Sequence, residues 1–108
     1  MRDETSVLET LTKELGLAKP EAESYLRALK EGSIGADGEE VRSLARRGML
    51  IEGTYEKGYL PVHPRLALSN LFRAYGARGT PGMREKRKLV DRLTAELIPV
   101  YEKGRGLR

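Results

Sequence analysis

Three glycines, Gly16, Gly32 and Gly48, divide the first half of this chain into segments whose lengths leave few options for folding. Each follows a run with helical periodicity, and glycine supplies the left-handed residue at which helices commonly stop. In the first run Val7, Leu8, Leu11 and Leu15 recur at three-, four- and seven-residue steps, which predicts an amphipathic helix over 5–15 with an acidic first turn that suits the helix dipole. The second run opens with Lys19, Pro20 and Glu21, placing proline at the first helical position. It carries Ala22, Tyr25, Leu26 and Leu29 on one face as far as Gly32.

Fifteen residues lie between Gly32 and Gly48. Asp37 and Glu40 have the spacing of a capping box, and the helix they would open turns Val41, Leu44 and Ala45 inward and Arg42, Ser43, Arg46 and Arg47 outward. That helix takes about nine residues and leaves 33–38, at most about one and a half turns at 3.6 residues each. There is no room for another helix in this interval.

Beyond Gly48 the pattern changes period. Residues 49–54 and 59–62 read as two strands joined by the turn Tyr55, Glu56, Lys57 and Gly58, and Pro61 predicts an edge position for the second strand. Pro64 begins a further helix with Leu66, Leu68, Leu71, Phe72 and Tyr75, and 76–82 is a Gly/Pro linker. The last helix, 83–101, repeats Met83, Val90 and Leu97 every seven residues, with Leu93 and Val100 on the interleaved register and Lys86 interrupting it. Fewer than three heptads need a surface to pack on, either the rest of the domain or a second copy, and the reading taken is a homodimer through Met83, Val90, Leu93, Leu97 and Val100. Pro99 is expected to bend the end of this helix and the glycine-containing tail to be loose. The expected organisation is a body at 1–75, a linker at 76–82, a dimerisation helix at 83–103 and a flexible tail at 104–108. The fold class is mainly α with a small β-hairpin.

Composition removes most chemistry. A chain of 108 residues with no cysteine and one histidine, His63, has no thiolate or multi-histidine metal site, no cysteine nucleophile and no acid/base cluster, so neither an enzyme nor a cofactor is expected. No apolar run approaches the ~18 residues of a membrane span, and no signal-peptide core follows Met1, which points to the cytoplasm. His63, just ahead of a helix, reads as a capping or packing residue. Tyr25, Tyr59, Phe72 and Tyr75 fall on apolar faces. The turn Gly35, Ala36, Asp37 and Gly38 lacks the Lys and Ser/Thr of a phosphate loop.

Charge is strongly polarised. Residues 1–40 hold ten acids and five bases, a net −5, and residues 41–108 hold six acids and fifteen bases, a net +9. A basic end of this kind is drawn to polyanions, above all double-stranded DNA. Arg42, Ser43, Arg46 and Arg47 on the third helix, with Tyr55 and Lys57 at the hairpin tip, are the candidate contacts, because arginine's fork binds phosphates and guanine edges. The plain alternative is a solvated face paired with Glu39 or Glu40. The densest basic run, Arg84, Lys86, Arg87, Lys88 and Arg92, offset by Glu85 and Asp91, reads first as the solvated exterior of the last helix, with a phosphate-touching stripe as the alternative.

The order helix, helix, basic helix, hairpin, helix is that of a winged-helix domain. Leu15, Gly16 and Leu17 with Glu21, Ala22 and Tyr25, then Leu44 with Gly48, Met49 and Leu50, then Tyr59, Leu60, Pro61, Val62, His63 and Pro64 with Leu66, Ala67 and Leu68, resemble the N-terminal domain of archaeal TrmB-type transcription regulators over about residues 7–73. The resemblance implies sequence-directed DNA binding as a dimer. Two departures accompany it: with the chain ending near Arg108 no effector domain is expected, and one helix of the helix-turn-helix is missing from 33–38. The expected function is therefore a DNA-binding transcription regulator or chromosome-associated protein that grips the duplex mainly through backbone electrostatics. The alternative is a protein–protein interaction module on a degenerate winged-helix core, serving a larger transcription complex.

Overall fold

The computed structural model describes residues 4–35, 38–53, 58–76 and 82–106. Its elements in chain order are α1 (Glu4–Glu9), continued by a π-helical segment (Thr10–Glu14), α2 (Lys19–Glu31), α3 (Glu39–Arg46), β1 (Leu50–Glu52), β2 (Tyr59–Pro61), α4 (Pro64–Gly76) and α5 (Met83–Gly104). The chain is mainly helical with one two-stranded antiparallel hairpin. Gly16, Gly32 and Gly48 stand at φ 81°, 86° and 79°, so all three helix stops fall where the periodicity placed them.

The first helix is longer in sequence terms than in regular geometry. Thr10 and Thr12 donate their hydroxyls to the carbonyls of Ser6 and Leu8, at 3.1 and 2.9 Å. Such back-bonding loosens an α-helical ladder, and here the next turn is wide, with the Leu15 amide bonded to the Thr10 carbonyl at 3.2 Å. Val7, Leu11 and Leu15 are nevertheless all buried.

Residues 33–35 are extended rather than helical. Ile34 exchanges both backbone hydrogen bonds with Tyr59, at 2.8 and 2.9 Å, so β2, the edge of the two-stranded sheet as Pro61 predicts, carries an isolated one-residue bridge on the side away from β1. The ladder explains how proline is accommodated. Met49 with Val62 and Gly53 with Gly58 are hydrogen-bonded positions, so the Leu50–Pro61 pair between them is a non-hydrogen-bonded one. The Pro61 nitrogen faces the Ile34 side, where a further pair would need an N–H that proline lacks, and the bridge ends after a single pair.

One buried cluster runs from Val7 through Leu11, Tyr25, Leu29, Leu44, Met49 and Leu68 to Val90, Leu93 and Leu97. It forms because α5 packs on both α2 and α4. The helix continues past Pro99 to Gly104, where the backbones of α5 and α2 touch: a Cβ built on Gly104 would lie 1.9 Å from the Leu29 carbonyl oxygen. Gly104, expected in a loose tail, is thus a seating point that only glycine fits. On α4, Pro64, Ala67, Leu68 and Leu71 face the core, whereas Leu66, expected with them, is 55% exposed. No helix among the described residues is long and apolar enough to cross a membrane.

Candidate nucleic-acid interface

The eight residues of α3 bury Val41 and Leu44 in the core, and one carboxylate of α2 adds polar contacts to the helix. Glu21 sits three residues into α2, where its Oε1 accepts the Ala18 amide at 2.9 Å and completes half of a capping box. Its Oε2 accepts the Ser43 hydroxyl and, at 3.2 Å, the Nε of Arg47. The Glu21 side chain is 7% exposed and that of Arg47 30%. Burial by itself would raise the Glu21 pKa, but the Ser43 hydroxyl, the Ala18 amide and the Arg47 guanidinium together outweigh it, and the carboxyl stays below its ordinary value. Ser43 and Arg47, read from sequence as outward contacts, are therefore clamps for the helix. The physical reason is the buried acid beneath them.

Arg42 and Arg46 do face solvent, with side chains 54% and 64% exposed. Both reach back to Glu39 at the start of the same helix, Arg42 at 3.4 Å and Arg46 at 2.7 Å. The two hydrogen bonds lower the Glu39 pKa. Ion pairs this exposed are screened by solvent and exchange readily for another anion. Tyr55 and Lys57 lie outside the described residues, as does Asp37, but the expected capping box is not formed: α3 begins at Glu39 with Gly38 as its N-cap and no side-chain cap, which puts Glu40 at the second helical position instead of the third.

The expected dimer contacts are used within the chain. Val90, Leu93 and Leu97 are buried against α2 and α4, and Val100 packs partly buried on the same cluster; the side chain of Met83 lies outside the described residues. That side of α5 closes the core of the single chain.

His63 does what its position predicts. Its Nδ1 accepts the Arg65 amide at 3.1 Å at the start of α4, and its ring meets Tyr101 edge-on at a centroid distance of 4.9 Å. Tyr25, fully buried, donates its hydroxyl to the Val62 carbonyl at 3.0 Å, and burial together with Tyr101 pushes its pKa up. Among the described residues no group of three or more His, Asp or Glu is placed to hold a metal ion.

Glu21 is the residue that sequence reasoning passed over. Its place three residues after Ala18 signals a cap, but nothing in the spacing announces partners 22 and 26 residues away. Compared with protein-family models, curated proteins and solved structures, the chain matches none.

Proposed function

We propose that this chain is a double-stranded DNA-binding protein of winged-helix type, a transcription regulator or chromosome-associated protein, that holds the duplex chiefly by its phosphates. The observation that carries the reading is the pair Arg42 and Arg46, exposed on a short helix that leads directly into an antiparallel hairpin and tied, among the described residues, only to Glu39 on their own helix. The order of elements supports it. After α2, a one-residue strand at Ile34, one helix and a hairpin follow, with Ile34 bridged to β2, as in a winged helix reduced by one helix. Without the bracing helix, α3 has no second support across the groove, which favours backbone contact over base readout. Since Val90, Leu93 and Leu97 serve the chain's own core, the binding unit in this proposal is a single chain.

The test is fluorescence anisotropy with several unrelated duplexes of about 20 base pairs at low salt. Comparable binding to all of them supports the proposal, and no binding at about 50 mM salt, where backbone contacts are strongest, overturns it.

A second reading, a protein-interaction module, has one observation in its favour. Ile51 is 58% exposed and pairs across the hairpin with Leu60, giving the sheet an apolar outer face. Arg42→Glu with Arg46→Glu separates the two: the substitution abolishes contact at α3 under the first reading and leaves a partner's docking intact under the second.

A further inference from the structure

The largest excess of positive charge in the fold is not on α3. Residues 39–47 hold three bases and two acids, whereas α4 and the first half of α5, residues 64–76 and 83–92, hold seven bases and two acids. On α5, Arg84, Lys88 and Arg92 are exposed and recur every four residues, so they form one ridge about 12 Å long at 1.5 Å per residue. By the 100° step of a helix this ridge lies opposite Val90, Leu93 and Leu97, which anchor the other side of α5 in the core. None of the three has an ion-pair partner among the described residues, unlike Lys86, which binds Glu14 at 3.1 Å, and Arg87, which faces Asp91 at 3.7 Å. Arg87 also stacks over Phe72 at 5.6 Å and so ties this end of α5 to α4, whose next residue, Arg73, is exposed.

The location of these cations runs against helix stability. Arg84 and Lys86 flank Glu85 in the first turn of α5, where the helix dipole is positive and bases are disfavoured, and Arg87 and Lys88 follow at once. An anion docked there relieves both the repulsion and the dipole. We infer that the Arg84–Lys88–Arg92 ridge, flanked by Arg73, is a second duplex-DNA contact surface, distinct from α3. The inference rests on the duplex-binding reading above. A rigid row of cations suits the phosphates of a duplex. Single strands call for free aromatic platforms, and Phe72 is covered by Arg87. A membrane surface calls for large apolar side chains beside the bases, and among the described residues the two most exposed, Ile51 and Leu66, are not on α5.

The experiment compares the full chain with Arg84→Glu/Lys88→Glu/Arg92→Glu and with Arg42→Glu/Arg46→Glu, by anisotropy on one 20-base-pair duplex across a salt series. The ridge variant is expected to bind about tenfold or more weakly, and to flatten the slope of log affinity against log salt by about 3, close to 0.9 per lost phosphate contact. The far-UV circular dichroism and thermal midpoint of the variant are measured alongside, and a folded variant at the assay temperature separates lost binding from unfolding. Wild-type affinity and slope in the ridge variant would overturn the inference while leaving α3 as the contact. Absence of duplex binding by the unaltered chain overturns the underlying reading too, and binding instead to phosphatidylserine vesicles identifies a membrane surface and also overturns it.

Discussion

Replacing Glu21 tests whether one buried carboxylate fastens α3 to α2. Glu21→Ala removes the acceptor of three donors: the Ala18 amide, the Ser43 hydroxyl and the Arg47 guanidinium. Loss of a helix cap costs about 1 kcal/mol and loss of hydrogen bonds to a charged acceptor about 1.5–3 kcal/mol each before relaxation. Ser43 is half-buried and Arg47 is 30% exposed, so water takes over part of both roles. The expected net loss is about 2–3 kcal/mol, which for a chain near 100 residues lowers the melting temperature by roughly 10–20 °C. Glu21→Gln keeps one oxygen, for the Ala18 amide, and puts an NH2 where Oε2 accepted Ser43 and Arg47; the Ser43 hydroxyl can turn to accept from it, but the Arg47 N–H loses both its acceptor and the opposite charge, for a loss of about 1–2 kcal/mol. The pH dependence has a fixed sign. The folded pKa lies below that of the unfolded chain, so the ionised group stabilises the fold above ~4.3 and the contribution fades as pH falls through the folded value. Chemical denaturation of both variants at pH 7 and at pH 3 reads this directly, with the wild type's advantage over Glu21→Gln shrinking at the lower pH. A Glu21→Ala midpoint within about 0.5 kcal/mol of wild type, or a Gln deficit unchanged between the two pH values, refutes the clamp.

Gly104→Ala sets helix propensity against sterics: alanine gains about 1 kcal/mol in a helix, but its Cβ would meet the Leu29 carbonyl, and the variant is expected to be less stable by about 1–2 kcal/mol in thermal unfolding. A stabilised variant would show that α5 is not seated there. Tyr25→Phe leaves the Val62 carbonyl without its donor, for a loss of about 1 kcal/mol in urea titration with little change in m-value. Leu93→Ala opens the core and is expected to cost about 2–5 kcal/mol, with a midpoint independent of protein concentration; a midpoint that climbs with concentration would restore the helix to a dimer seam.

How far the fold is legible depends on whether the signal is local. The helix stops at Gly16, Gly32 and Gly48 are local, as is the proline at the start of α2, and the structure has them in place. The hairpin over 50–61 announces itself by its change of period, and its register then follows from the pleat. The heptad of α5 is equally plain, yet periodicity states only that one side must be buried and not against what; α2 and α4 of the same chain supply the surface. The Ile34 bridge has no local signal, since a single β-branched residue in a Gly-rich segment gains its strand geometry from Tyr59, 25 residues on. The candidate site divides the same way. That Arg42 and Arg46 lie on an outward face follows from spacing within one helix. That Ser43 and Arg47 turn to Glu21 depends on how α3 crosses α2, which no spacing records.

The central claim is that exposed cations on a single chain hold duplex phosphates, and the salt dependence of binding measures it most directly. With Arg42, Arg46, Arg84, Lys88 and Arg92 each taking one phosphate, log affinity should fall against log salt with a slope of roughly −4 to −5 on any duplex sequence. A flat response, or steep binding confined to one sequence, contradicts the account.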